Sequence, residues 1–121
     1  MLNKPKYSLF SNTKYALQGF IDLIKNESSF KLELIVLFIT IPIIFYIDKT
    51  VVEKLILFSS IMLILIVEAI NGAIERVVDL VSPDYHILAG KAKDAGSSAV
   101  FLSISLAVIS WGVILLWKQY F

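Results

Sequence analysis

The chain has no cysteine and one histidine in 121 residues. Disulfides and thiol chemistry are therefore excluded, and the redox compartment is left open. A structural or catalytic zinc site is disfavoured, because such sites draw mainly on Cys and His. No Gly-rich loop precedes a Lys-Ser or Lys-Thr pair, so there is no P-loop. The motif set of soluble protein kinases is absent as well. Net charge is only +1, which argues against nucleic acid as a partner. No internal repeat or low-complexity tract is visible. The segment up to Lys31 holds five lysines and two acids without an early apolar core, unlike a secretory signal peptide.

What is abundant is apolar residues, 58% of the chain, well above a typical soluble domain. A soluble core this small could not bury so much apolar surface. The expected class is an all-α membrane protein forming one domain over residues 1–121. Three stretches are candidate spans, at about 30–47, 51–69 and 97–117. A span needs roughly 20 mostly apolar residues, so the first two are slightly short and borrow their flanks. Lys31, Lys54 and Lys118 can snorkel to the headgroups there. Tyr46, Trp111, Trp117 and Tyr120 suit interfacial anchoring. Pro42 falls inside the first span, where a tolerated kink is expected.

Residues 9–26 read as an amphipathic helix. Phe10, Leu17, Ile21 and Ile24 fall on one side, and Gln18, Asp22 and Lys25 on another. Such a helix can lie in the headgroup plane. The second span is expected to continue as a helix through Val81 and to stop at Ser82-Pro83-Asp84. Gly90 and Gly96 are expected to flank a second polar turn before the last span.

Basic residues give the topology. Lys4, Lys6, Lys14, Lys25, Lys31, Arg76, Lys91 and Lys93 stand on one side, and Lys49, Lys54 and Lys118 on the other. Eight against three places the N-terminus and the 75–94 connection in the cytoplasm and the C-terminus outside. Ala99, Ser103, Ala107 and Ser110 form a small-residue stripe suited to close helix packing. Three spans do not easily enclose a polar site, so self-association is expected.

The polar residues gather directly after the uncharged run Leu55–Val67. Glu68, Asn71 and Glu75 stand at i, i+3 and i+7 and share one helix face. Asp79 extends that stripe. Carboxylates at a lipid boundary are costly and tend to be functional. The same stripe would also suit a solvated face where the helix leaves the membrane. The pattern fits phosphoryl transfer better than hydrolysis. Mg²⁺ takes one or two carboxylates plus phosphate oxygens and water. A further carboxylate can accept a proton from an attacking hydroxyl. Lys93 offers a point charge for phosphate. Glu27 adds a carboxylate at the same interface, or is simply a charge in a water-facing turn. His86 alone reads as a loop histidine.

Glu68-Ala-Ile-Asn71-Gly-Ala-Ile-Glu75, followed by Val77-Val-Asp79, Tyr85-His86 and Ala92-Lys93-Asp94, closely resembles the bacterial integral-membrane diacylglycerol kinase family. The resemblance covers roughly residues 26–117. It implies a homotrimeric helix bundle, with three transmembrane helices and an N-terminal surface helix per subunit and sites shared between neighbours. It implies an ATP-dependent lipid kinase of the bacterial inner membrane that converts diacylglycerol to phosphatidic acid. By the same resemblance Glu68 is the base and Asn71 supports its geometry. Glu27 and Glu75 hold Mg²⁺ with the nucleotide. Tyr15, Asp84, Tyr85, His86, Lys93 and Asp94 contact the nucleotide. Glu33, Glu68, Ser97 and Trp111 face the lipid substrate. The chain departs from the family pattern at Gly72, where Ser or Thr is usual. It also departs in a surface helix lacking the usual Trp and Arg. Asp94 is followed by Ala95-Gly96-Ser97-Ser98-Ala99, closer to the diacylglycerol branch than to the Ala-rich undecaprenol kinase branch, which is the alternative. A small transporter or channel subunit would explain Glu68 but not Glu27, Lys93 and Asp94.

Overall fold

The computed structural model describes residues 8–117. Lys4, Lys6, Lys118 and Tyr120, which the sequence assigns to topology and anchoring, lie outside the described residues. Four α-helices follow in order: α1 Leu9–Asn26, α2 Ser28–Tyr46, α3 Val51–Val81 and α4 Ile87–Gly112. A π-helical turn, Val113–Trp117, extends α4. Among the described residues three stretches are long and apolar enough to cross a membrane: Ser28–Tyr46, Val51–Val81 and Ile87–Trp117.

Each helix boundary has a local cause. Ser8 is extended, and its hydroxyl accepts the Ser11 N–H at 3.3 Å, capping α1. Glu27 is the only residue between α1 and α2 and adopts φ −118°, ψ 104°. Thr50 and Glu53 form a reciprocal capping box at the start of α3, with both bonds at 3.1 Å. Lys54 Nζ donates to the Phe45 carbonyl at 3.1 Å, closing the α2–α3 hairpin on the exposed end of α2. Ser82 leaves helical geometry directly before Pro83, as expected from the steric clash of a prolyl ring. His86 Nδ1 accepts the Leu88 N–H at 3.0 Å and caps α4. Helix α2 runs through Pro42, which has no N–H for the Phe38 carbonyl.

One boundary differs from the sequence reading. No turn separates Gly90 from Gly96, and both lie inside α4, which begins ten residues before the expected span. The polar stretch Gly90–Gly96 is the lower part of one helix rather than a turn. Ala89, Ala92 and Ala95 favour that conformation. No described glycine has a positive φ. Gly96 serves a different need, described below.

Helix α3 is central, packing on α2 along one side and α4 along the other, while α1 folds back on α2. The core joins Phe30 and Leu37 of α2, Ile61, Ile64 and Leu65 of α3, and Ala107 of α4. Leu57 of α3 is completely buried. Within the small-residue stripe, Ser103 and Ala107 are buried against α3, whereas Ala99 is exposed. Their size lets the backbones approach closely. Ser103 satisfies its hydroxyl on the Val100 carbonyl at 2.7 Å. Trp111 Nε1 donates to Ser60 Oγ at 3.1 Å, a cross-helix bond inside the apolar zone. Outward faces remain apolar: Phe38, Phe45, Ile66, Phe101 and Ile109 are exposed.

Helix α1 splits its apolar residues between an outer and an inner side. Phe10, Leu17 and Ile21 stay exposed. Leu23 and Ile24 pack against the core, and Phe20 meets the Phe30 ring edge-on at 5.5 Å. Ala16, Gly19, Phe20 and Leu23 line a groove shared with α2 and α3. The fold of α1 onto α2 at Glu27 selects this side, which helical periodicity alone does not specify.

Candidate active site

The stripe of α3 lies where that helix leaves the apolar zone. Glu68 follows the uncharged run, and Asn71 and Gly72 are buried one turn later. Glu27 reaches the same place from the α1–α2 junction, and Ser97 reaches it from α4. Together Glu27, Ser29, Glu68, Asn71, Gly72, Glu75, Ser97 and Val100 enclose an open pocket of about 210 Å³. Its surface is mostly polar, whereas the other described grooves are apolar. Ligand pockets usually span about 300–1,000 Å³, so this one takes the reacting end of a ligand rather than a whole molecule.

Asn71 is the organising residue. Its Nδ2 donates to Glu75 Oε1 at 3.2 Å, one turn along α3. Its Oδ1 is buried without a hydrogen-bond partner and lies against Gly96 of α4. A Cβ at Gly96 would overlap that oxygen. Gly96 is therefore required for close approach of α4 to α3. Gly72 has a related role: a Cβ there would stand 3.4 Å from Leu23 Cδ2 and 3.7 Å from Glu27 Oε1. The departure from Ser or Thr leaves space beside the Glu27 carboxylate, which an added Cβ would meet only at ordinary contact distance.

Arg76 ties this region together from outside. It donates to Asp22 of α1, and its Nη2 donates to Glu27 Oε1 at 3.4 Å. The Arg76 guanidinium, then the Asn26 amide at 2.6 Å, hold the Asp22 carboxyl below its ordinary range. Lys93 Nζ lies 2.6 Å from Asp79 Oδ1, strapping the start of α4 to the end of α3.

The expected site residues separate into groups. Glu27, Glu68, Asn71, Glu75 and Ser97 converge on one pocket. Glu33 of α2 is half-buried beside Glu68, and its Oε2 is buried without a hydrogen-bond partner. Lys93 stands next to the stripe through Asp79. Asp84, Tyr85, His86 and Asp94 are exposed around the α3–α4 turn and do not line the pocket. Tyr15 is exposed on α1, and Trp111 lies up α4, bonded to Ser60. The sequence reading missed Ser29, Gly72 as part of the pocket wall, and Arg76 as the partner of Asp22 and Glu27. Ser29 stands in the first turn of α2 without capping it, so no local rule of helix starts singled it out. Nothing in sequence spacing pairs residues 22 and 76.

The donor set can be tested against a metal. Among the described residues no three His, Cys, Asp or Glu side chains gather tightly enough to cage an ion. Two carboxylates, Glu27 and Glu75, do line one polar pocket. That is the complement Mg²⁺ takes when phosphate and water supply its remaining ligands. The residues therefore fit a metal that arrives with a phosphorylated ligand.

Comparison with known proteins gives a consistent answer. A family model described as "Prokaryotic diacylglycerol kinase" matches residues 14–115. A diacylglycerol kinase of Haemophilus influenzae is 40% identical over 107 residues, covering 88% of this chain and 91% of the relative. That of Escherichia coli K12 is 43% identical over 95 residues, covering 78% and 77%. That of Pseudomonas aeruginosa is 35% identical over 108 residues, covering 89% and 88%.

Proposed function

The chain belongs to the prokaryotic diacylglycerol kinase family, a membrane lipid kinase, and from that premise we propose that it transfers the γ-phosphoryl group of ATP to the free hydroxyl of diacylglycerol. The product is phosphatidic acid, and ADP leaves. The observation that carries the reading is the convergence of Glu27, Glu68, Asn71, Glu75 and Ser97 on one polar pocket where the apolar helices end.

Glu68 takes the hydroxyl proton as the acceptor oxygen forms its bond to the γ-phosphorus and the bond to the bridging β-oxygen breaks. Its place at the lipid boundary is where a lipid hydroxyl arrives. Asn71 holds Glu75 through its 3.2 Å bond, fixing one carboxylate of the metal pair. Glu27 supplies the other. Mg²⁺ bound there with ATP would neutralise charge developing on the phosphate oxygens. Lys93 stands close enough to the stripe to face phosphate, while Asp84, Tyr85, His86, Asp94 and Tyr15 serve the outer nucleotide. Glu33, Ser97 and Trp111 are assigned to the lipid side.

The apolar outer faces of the spans suit lipid and sister chains, and the pocket is open. We assign the chain one domain and a homotrimeric assembly whose neighbours complete each site. Eight basic residues against three support a cytoplasmic N-terminus and an external C-terminus, which puts the pocket on the ATP side of a bacterial inner membrane. The test is transfer of radiolabel from ATP in mixed micelles, with diacylglycerol and undecaprenol offered in parallel. Phosphatidic acid as the main product is the expected result. Equal or greater turnover of undecaprenol would move the chain to the polyprenol branch.

A further inference from the structure

Arg76 follows Glu75 directly and stands on the outer flank of α3. Its guanidinium is divided between two acids from the other side of the site, Asp22 of α1 and Glu27 of the α1–α2 junction. Glu27 thus lies beside Gly72 and accepts one bond from the Arg76 guanidinium. Three carboxylates line the pocket, Glu27, Glu68 and Glu75, and no lysine or arginine does. Lys93 is engaged by Asp79. Among the described residues, Arg76 is therefore the cation in direct contact with a pocket carboxylate.

A site holding three carboxylates attracts any divalent cation and repels a polyphosphate. A fixed positive charge at its edge changes both tendencies in opposite directions. It opposes a bare cation, and it also competes for Glu27 Oε1. It draws in a ligand whose phosphates carry net negative charge. We propose that Arg76 is a specificity-determining residue of this site, setting its preference for a metal–polyphosphate complex over a bare divalent cation. Asp22 neutralises part of the guanidinium and so tunes how much of its charge the site receives. The inference rests on the assignment of Glu27 and Glu75 to the metal in the preceding subsection.

The experiment uses the full chain in detergent micelles at low salt, where surface charges act over a longer range. Binding of Mn²⁺ alone is measured by its paramagnetic resonance signal, and binding of Mn·ATP by equilibrium dialysis. Arg76→Ala is expected to tighten Mn²⁺ and weaken Mn·ATP, each roughly three- to tenfold for one nearby charge in a solvated site. Arg76→Lys should lie nearer the parent for both ligands. Asp22→Asn leaves the guanidinium more exposed to the site, so Mn²⁺ should weaken while Mn·ATP tightens. Shifts of the same sign for the two ligands, or no shift in either, overturn the inference. If Arg76→Ala does not fold, Asp22→Asn decides by the same criterion. Glu75→Gln separates this inference from its premise. If it binds Mn²⁺ as the parent does, the metal assignment itself falls, and Arg76 loses its role with it.

Discussion

The α3–α4 seam and the α1 arm are held by different means, and the site is made from both. The seam sets Gly96 against the Asn71 side chain and buries Ser103 and Ala107, with Leu57 fully enclosed. The arm contributes no buried residue at all. It is fastened by one edge-on aromatic contact, two partly covered aliphatic side chains and the reach of Arg76. Glu68, Asn71, Glu75 and Ser97 come from the seam and Glu27 from the hinge of the arm. The residues assigned to chemistry thus stand on the rigid part, and one of the two carboxylates assigned to the metal stands on the looser part. Local stability follows buried contacts, so closing of the arm and filling of the metal site are expected to be linked.

The sharpest way to break this comparison is to remove one carboxylate from each region. Glu68→Gln is expected to lower kcat about 10²–10⁴-fold, as for a lost general base, with Mg·ATP affinity unchanged. Glu27→Gln is expected to act first on Mg·ATP affinity. Measuring kcat and nucleotide Kd for both variants checks it; identical profiles would erase the distinction between the regions.

A smaller effect separates the glycines. Gly96→Ala inserts a methyl into Asn71 Oδ1 and should cost about 1–3 kcal/mol through overpacking. Gly19 sits in the middle of α1 with nothing within 4 Å of its would-be Cβ. Gly19→Ala should therefore stabilise by roughly 0.5–1 kcal/mol through helix propensity. Thermal unfolding in detergent should show Tm moving down in the first and up in the second. A fall of Tm in both would mean that α1 is packed as closely as the seam.

The smallest effect is the acid response of the arm. Arg76 and Asn26 lower the Asp22 pKa in the folded chain from its ordinary 3.8. Stabilisation from the ionised carboxyl is therefore present above that ordinary value and is lost as pH falls through the lowered folded value. Both groups are exposed, so solvent and salt screen the contribution. A spin label on α1 should gain mobility only below about pH 4, and Asp22→Asn should remove the step. A transition at neutral pH would assign the docking of α1 to another group.

Much of this was legible before any coordinates. The 3.6-residue period carried α1 from 9 to 26 and the polar stripe from Glu68 to Asp79. Ser82-Pro83 marked the end of α3 because prolyl sterics act on the neighbouring residue. The lower part of α4 was misread because polar residues with two glycines resemble a turn. Gly96 is explained only by Asn71, 25 residues earlier, and that relation is spatial. Which side of α1 meets α2 is likewise set by the hinge at Glu27 and not by helical periodicity. The Asp22–Arg76 pair spans 54 residues and belongs to no motif.

The fit of Asn71 against Gly96 also bears on how this sequence can change over generations. Any side chain added at 96 collides with the amide oxygen. Shortening residue 71 to make room withdraws the amide donor that holds Glu75. Each single step is therefore penalised, and only a paired replacement, with a new donor for Glu75, leads to another arrangement. Positions 71 and 96, on different helices, are therefore expected to change together or not at all.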